Sequence, residues 1–342
     1  MKNKLQPTPP GPTDASSAAQ AFLGIDISKA TFDAALLLPD SRLLQKSFPN
    51  TNQGFEALKN WVHSHLGKLP LHAVMEATGT YYEALGLHLH SWVHTLSVVN
   101  PRQIKAYADS SLRRSKTDRV DACLIARFAA AQKPRAWQPP TPAQRELQEL
   151  SRRQQSLVAM RSMEKNRLSC VQCASVRESL QRHLRALDEE LAEVEAVMAR
   201  SIAVDPQLSA REALLRSIRG IGACTAARIL GEIPDIHRFD SARQLGAHGG
   251  LTPRREQSGT SINRRGGICR IGSSRLRSHL YFPAITAMRC NPLIMSFASR
   301  LRQAGKPPKV IITAVMRKLL HIVFGVLSSN KPFNPLILQH SP

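Results

Sequence analysis

The hydrophobic pattern changes period along the chain. Between residues 21 and 99, short apolar runs alternate with segments of helical spacing. Runs at 21–27, 32–38, 43–48, 71–75 and 95–99 have the length and aliphatic content of strands. Asp40 and Ser41 mark a turn between the second and third runs. Phe55, Leu58, Trp61, Val62 and Leu66 recur at three- and four-residue intervals, which predicts a helix over 53–66. Two more helices are predicted over 81–92 and 118–131. The order β-β-β-α-β-α-β-α predicts a mixed sheet flanked by helices. In such a sheet the first and fourth strands can be neighbours, with the last helix lying across their ends.

The pattern then becomes purely helical. Pro134, Pro139, Pro140 and Pro142 form a linker, and residues 143–205 contain neither Pro nor Gly. Leu180, Leu184, Leu187, Leu191, Val194 and Met198 make an a/d heptad seam. This predicts a coiled-coil helical hairpin with its tip near 173–178, its seam either packed as an internal bundle or, the preferred reading, protruding to mediate assembly or hold RNA. From 206 onward a second globular unit is expected, mostly helical. Residues 213–219, Gly220-Ile221-Gly222 and 223–233 read as helix, tight turn, helix. The stretch 245–277 is rich in Gly, Ser and Arg and receives no element. An amphipathic helix over 308–327 closes the unit. Residues 1–20, mostly Pro, Ser, Thr and Ala, read as a disordered tail.

Charge narrows the partners. The 342 residues hold 47 Lys and Arg against 25 Asp and Glu, a net +22. A field of that sign draws polyanions, nucleic acid first and an anionic membrane surface second. A hydrophobic content of 42% excludes a wholly disordered basic chain. The longest apolar stretch is interrupted by Arg317, Lys318 and His321, so no bilayer span is expected. The N-terminal residues lack the apolar core of a secretory signal. Six scattered cysteines read as reduced cytosolic thiols. Cys170 and Cys173 lack a second pair at zinc-ligand spacing. A cytoplasmic protein without a membrane role is expected.

With acids scarce, four stand out. Asp26 sits inside an apolar strand, where a carboxylate must be paired or bind a cation. Glu76 ends the fourth strand. Asp118 and Asp121, three residues apart, share a helix face. If the first and fourth strands are neighbours, all four can converge. Oxygen-only clusters suit Mg²⁺ or Mn²⁺, and such ions can clamp both oxygens of a phosphodiester exchange. Arg102, Lys105, Arg113, Arg114, Lys116 and Arg119 read as a basic loop beside the acids, suited to phosphate. Gly220 and Gly222 can bring backbone amides to a phosphate. A final constellation runs from Gly249 to Gly267, with Arg254, Arg255, Arg264 and Arg265 around Ser258 and Ser261, and from Arg254 to Arg277 there are seven Arg and one acid. A serine among guanidinium groups can attack a phosphodiester, or the segment can bind phosphate passively. Spacing does not rank Ser258, Ser261, Ser273 and Ser274.

Several of these blocks, in this order, resemble the transposases of insertion-sequence family one-hundred-and-ten, the DEDD transposases or bridge-RNA-guided serine recombinases. The matching stretches are Gly24-Ile25-Asp26, Glu76-Ala77-Thr78-Gly79-Thr80-Tyr81, Lys116-Thr117-Asp118-Arg119-Val120-Asp121-Ala122, Gly220-Ile221-Gly222, Gly250-Leu251-Thr252-Pro253, Gln257-Ser258-Gly259 and Met316-Arg317-Lys318-Leu319. Arg219 stands where the family usually has Pro. The resemblance implies a RuvC-like, ribonuclease H-like domain over 21–133, a linker and coiled-coil region over 134–205, and a transposase domain with a helix-hairpin-helix over 206–342. It implies that Asp26, Glu76, Asp118 and Asp121 bind Mg²⁺ and that Ser258 is the nucleophile that joins covalently to DNA. It implies donor and target DNA, a structured non-coding guide (bridge) RNA that selects both, and a homo-oligomer, dimer or tetramer, in which acids of one subunit meet the serine of another. A bacterial, nucleoid-associated recombinase that mobilises its own element follows. The competing readings are a metal-dependent junction endonuclease that uses water and a non-catalytic nucleic-acid-binding scaffold.

Overall fold

The computed structural model describes residues 19–77, 79–110, 118–258, 262–269 and 271–335, and within these the side chains of all but 118–120, 255–258 and 262–266. The expected tail over 1–20 thus lies almost wholly outside the described residues. The chain divides into two compact units between Pro139 and Pro140, inside the proline-rich linker.

The N-terminal unit contains β1 (Ala21–Ile27), β2 (Thr31–Leu37), β3 (Leu43–Pro49), α1 (Asn52–Leu66), β4 (Leu71–Glu76), α2 (Tyr82–His90), β5 (Thr95–Val99), α3 (Pro101–Ser110) and α4 (Asp118–Gln132). They build a five-stranded mixed sheet in the order β3-β2-β1-β4-β5. The first three strands form an antiparallel meander, and β1, β4 and β5 run parallel. The expected neighbourhood of the first and fourth strands is therefore observed.

Alternation along the strands sorts the two faces. Leu23, Ile25, Phe32, Leu36 and Met75 share one core with Phe55, Leu58 and Val62 of α1 and Leu85 and Leu89 of α2. Phe22 and Val74 face the other way, toward Ile125, Phe128 and Ala129 of α4 and Ile104 of α3. Each fully buried Leu, Ile or Phe stabilises the unit by roughly 1.5–3 kcal/mol. Thr51 caps α1, its hydroxyl accepting from the Gly54 amide at 3.3 Å. One expectation fails here. The basic stretch expected as a loop is helical through Ser110, so Arg102 and Lys105 lie on α3. Strand β5 stops at Val99, before Asn100 and Pro101 as expected, and Pro101 also opens this helix, because a proline at the first helical position loses no needed N–H. Arg113, Arg114 and Lys116 lie outside the described residues.

The C-terminal unit contains α5 (Pro142–Cys170), α6 (Ala174–Val204), α7 (Pro206–Arg216), α8 (Ala223–Glu232), α9 (Ala242–His248), β6 (Thr252–Ser258), β7 (Ile262–Cys269), α10 (Ser274–Cys290), α11 (Pro292–Gln303) and α12 (Pro308–Ser329). A capping box of Thr141 and Gln144 starts α5. Helices α5 and α6 fold back on each other through residues 171–173. Arg161 meets Asp188 at 2.9 Å, and Ser201 meets Glu146 at 2.8 Å, which fixes an antiparallel register.

The heptad seam takes the internal role and not the preferred one of holding a partner. Leu187 and Leu191 are buried against Leu157 of α5, with Val158 and Val194 beside them. Met198 and Ile202 join Leu147 in the main core of the unit. The seam is filled from within the chain, so these leucines are not the surface that holds a second subunit or RNA.

Helix α12 is long and apolar enough to cross a membrane by length and composition, and half of it is buried inside the structure. Val315, Leu319, Leu320 and Val323 form the centre of the unit's core, surrounded by α7, α9, α10 and α11. The segment left without elements at 245–277 holds the end of α9 and a two-stranded antiparallel hairpin, β6–β7, with a bulge between Pro253 and Arg255.

Candidate active site

In the N-terminal unit the site is built on the face of the sheet that α4 covers. Gly24 lies in the middle of β1, and any Cβ there would collide with the Ala122 carbonyl and the Ala126 backbone of α4. The missing side chain, and the alanines at 122, 126 and 129, let the helix lie close against the strand. Phe22 packs toward Ile125 and Phe128, later in α4, while Gly24 meets Ala122 and Ala126. One pleat further along β1 comes Asp26, on the same face. The chain directions therefore set Asp26 beside the first turn of α4, which carries positions Asp118 and Asp121.

Glu76 reaches the same edge from the neighbouring strand. Ile25 pairs with Met75 in the parallel ladder, and Asp26 and Glu76 each follow by one residue. Asp26, Glu76 and Asp121 are all half-buried. The side chains of Asp118 and Arg119 lie outside the described ones. Among the described residues, no three Asp, Glu, His or Cys side chains converge closely enough to enclose a metal ion. What the structure brings together is a row of carboxylate positions, Asp26 and Glu76 at adjacent strand ends and the acidic turn of α4 over them. This donor set is oxygen-only, as hard divalent cations require.

A further carboxylate joins the row. Asp33 pairs directly with Asp26 in the antiparallel β1–β2 ladder, and Ser47 of β3 donates a hydrogen bond to it. Its neighbour Ala35 packs against α4, which places Asp33 on the same face.

In the C-terminal unit two constellations stand. The first is the turn between α7 and α8. Gly220 adopts φ +104°, and a Cβ there would strike Ala287 of α10. Its glycine is thus required both by the backbone and by packing. Gly222 is different: it caps α8, is exposed, and a Cβ added there would meet nothing within 4 Å.

The second constellation is the β6–β7 hairpin. Ser258 pairs with Ile262 at its last described rung, next to the tip. Glu256 stands opposite Arg264, and Arg255 opposite Arg265. Arg254 is exposed on β6. The base of the hairpin is tied down. Gly272, at φ +139°, presses against the His248 carbonyl and the Gly250 amide. The Ser273 amide donates to the His248 carbonyl at 2.7 Å. The buried carboxylate of Glu232 accepts from Ser273 Oγ at 3.0 Å and from Arg275 Nε at 2.9 Å. Ser273 Oγ also accepts from the Leu276 amide at 3.1 Å, capping α10.

This separates serines that spacing left unranked. Ser273 is engaged as a cap and a Glu232 partner, and Ser274 begins α10. Ser258 lies at the hairpin's end, and Ser261 lies outside the described residues. Two histidines flank the base, His279 buried and His248 half-buried. Burial pushes the His248 imidazole down to about 4, with the Arg238 charge adding to the effect. Burial likewise takes His279 to about 4, helped by Arg228. Both are neutral at pH 7.

Comparison with known proteins finds two family models, the first covering the N-terminal unit and running on through α5, the second lying within the C-terminal unit. Residues 23–171 match the model of DEDD transposases of the IS110 type, and residues 212–299 match that of the transposase IS116/IS110/IS902 family. The chain is 36% identical over 321 residues to the pilin gene-inverting protein of Moraxella bovis, covering 93% of this chain and 99% of that protein.

The chain belongs to the IS110 family of transposases.

The pilin gene-inverting protein of Moraxella lacunata is equally similar, at 36% identity over 321 residues. A probable family 20 transposase of Pseudomonas aeruginosa is 30% identical over 158 residues, 44% of this chain and 46% of that protein. The protein is thus a DNA transposase or recombinase. Two features of the transposase are not visible in the sequence alone. Asp33 is hidden because only the antiparallel register aligns it with Asp26. The Glu232 clamp joins residues more than forty positions apart, and its one sequence signal is a lone acid at the end of an apolar helix.

Proposed function

We propose that this transposase exchanges DNA strands site-specifically through a covalent phosphoserine, guided by a structured RNA of its own element. The position that carries the reading is that of Ser258, at the end of an arginine-bearing hairpin whose base Glu232, Ser273 and Gly272 hold fixed. Such a hairpin presents a nucleophile while its anchor keeps it in place. The N-terminal sheet supports a RuvC-like domain with Asp26, Glu76, Asp118 and Asp121 as ligands of Mg²⁺ or Mn²⁺. A divalent ion held there would activate the attacking oxygen and the scissile phosphate.

The chemistry balances without an external energy source. Ser258 Oγ loses its proton and forms a bond to phosphorus, while the bond from phosphorus to one deoxyribose oxygen breaks and that oxygen leaves as a hydroxyl. A hydroxyl of the partner strand then attacks the phosphoserine, restores a diester and returns the serine. Arg254, Arg255, Arg264 and Arg265 neutralise the charge that develops on the phosphate oxygens. Arg113, Arg114, Lys116 and Arg119, with the backbone at Gly220 and Gly222, hold flanking phosphates. The relatives' name, a pilin gene-inverting protein, is in keeping with site-specific exchange.

Denaturing gels test the reading. The parent protein should leave a covalent protein–DNA band, Ser258→Ala none, and Asp26→Ala none. Because acid and serine act in one step, the double variant should lose strand exchange to the same depth as either single variant. An adduct formed by Ser258→Ala moves the role to another serine, with Ser261 next. Cleavage in Mg²⁺ without any adduct replaces this mechanism with hydrolysis by water.

A further inference from the structure

Helix α10 carries an exposed aromatic pair that the mechanism does not use. Phe282 is 75% exposed and Tyr281 42%, and their rings meet edge to face at 5.5 Å. A phenylalanine so exposed on a well-packed helix offers a planar apolar face to a contact. The flanking residues Leu280, Pro283 and Ala284 are buried, so the helix is fixed and Phe282 points outward by construction.

Phe282 borders a groove of about 440 Å³ between α10 and the turn that joins α7 to α8. Gly220, Gly222 and Thr225 line one side, Phe282, Pro283 and Thr286 the other. The groove is held open by defined contacts. Gly220 packs on Ala287, one turn along α10, and Asn291 Nδ2 donates to the Arg219 carbonyl at 3.1 Å. Nothing lies near a Cβ position on Gly222, so that wall is bare backbone.

The turn and α10 themselves carry only positive charge, while Glu195 of α6 meets Cys224 Sγ at 3.7 Å behind the turn. Arg219 and Arg289 are exposed on the turn and on α10. Neither 213–230 nor α10 contains an acid. Glu256 is the last carboxylate side chain in the sequence, and the 86 residues after it hold 13 Lys and Arg. On one face of α10, Arg275, Ser278, Phe282, Thr286 and Arg289 follow each other at three- and four-residue steps. A planar apolar ring between hydroxyls and guanidinium groups suits a nucleotide: the base stacks on the ring and the phosphates meet the cations.

We propose that this groove receives an unpaired nucleobase, stacked on Phe282, with Arg219 and Arg289 holding the flanking phosphates. The inference rests on the reading above, that the C-terminal unit handles nucleic acid, and names the state of the strand it grips. Exchange between duplexes exposes unpaired bases, and a stacking seat holds such a base without reading its sequence.

The test measures binding of the full-length protein to a labelled strand of about 15 nucleotides, long enough to fill a single-strand site. DNA and RNA versions and a DNA duplex of the same sequence are compared. Phe282→Ala should weaken single-strand binding about 5- to 150-fold, the effect of losing one base–aromatic stack. Duplex binding should be unchanged, and Phe282→Trp should retain the parent affinity. Whichever polymer shows the loss is the one that occupies the groove. Equal affinity of Phe282→Ala and parent for both single strands overturns the proposal. So does a change confined to sedimentation of the nucleic-acid-free protein, which makes the patch a contact between copies. A parent protein that binds no nucleic acid at all sinks the broader reading instead.

Discussion

Asp33 stands directly opposite Asp26 across the β1–β2 ladder, on the face that α4 covers. Two carboxylates opposed on one face repel each other by about 0.2–1 kcal/mol. The hydrogen bond from Ser47 keeps Asp33 in this row. A strand pair built this way is less stable alone than with positive charge nearby. Asp33→Asn should therefore raise the melting temperature by about 1–4 °C in chelator. It should also shrink the further rise produced by Mg²⁺. Thermal unfolding with and without the ion checks both; an unchanged response to Mg²⁺ would set Asp33 outside the metal's influence.

Gly24→Ala tests how the acidic turn is placed. The added methyl meets backbone atoms of α4, which cannot rotate away as a side chain can. Overpacking of this kind costs about 1–3 kcal/mol. Because the same displacement moves Asp118 and Asp121 from β1, strand exchange should fall further than the melting temperature implies. Retained activity at a lowered melting temperature would separate the helix position from the chemistry.

Leu187→Lys with Leu191→Lys places two charges inside the α5–α6 hairpin. Loss of two buried leucines costs on the order of 5 kcal/mol or more. All three tryptophans, Trp61, Trp92 and Trp137, belong to the N-terminal unit. Helical circular dichroism should fall while tryptophan emission stays constant. A fully helical variant that changes only its sedimentation would return the seam to intersubunit contact.

The two histidines at the hairpin base give a pH dependence with a defined sign. His248 and His279 have folded values of about 4 against 6.5 for the free side chain. Between those values the unfolded chain binds protons that the folded one refuses. Stability is intact above pH 6.5 and falls as pH drops toward 4, by about 1.4 kcal/mol per pH unit for each histidine. His72 and His321, also lowered by burial, add to the same slope; His248→Gln should flatten it, read from urea unfolding at pH 7 and pH 5.

The sheet is largely legible in the sequence because its strands are short apolar runs between clear turns, and α1 because five apolar side chains repeat at helical spacing. Helix α3 is not, since it buries only Ile104 and opens on a proline that also reads as a stop. The β6–β7 hairpin is hidden for a different reason. Its strands are made largely of Arg, Gln, Asn, Gly and Ser without alternation, and Gly272 and Glu232 secure its base from outside the segment. For the candidate site, the acids and the serine are visible in the sequence but their register is not. Ile25 against Met75 and Asp26 against Asp33 are properties of strand pairing, which no single segment encodes. The heptad repeat does mark a seam; its partner lies thirty residues upstream in the same chain.

That closed seam has a mechanical consequence. A helix rises about 1.5 Å per residue, so the stretch of α5 from Leu157 to Cys170 spans about 20 Å beyond the level of Leu157. Both strands of this rod come from one chain and pack against each other. Matched insertion or deletion of one heptad in each helix would move the tip by about 10 Å and preserve every layer of the seam. The hairpin is thus a ruler with fixed graduations, its reach adjustable without changing either the sheet that bears the acids or the hairpin that bears the serine.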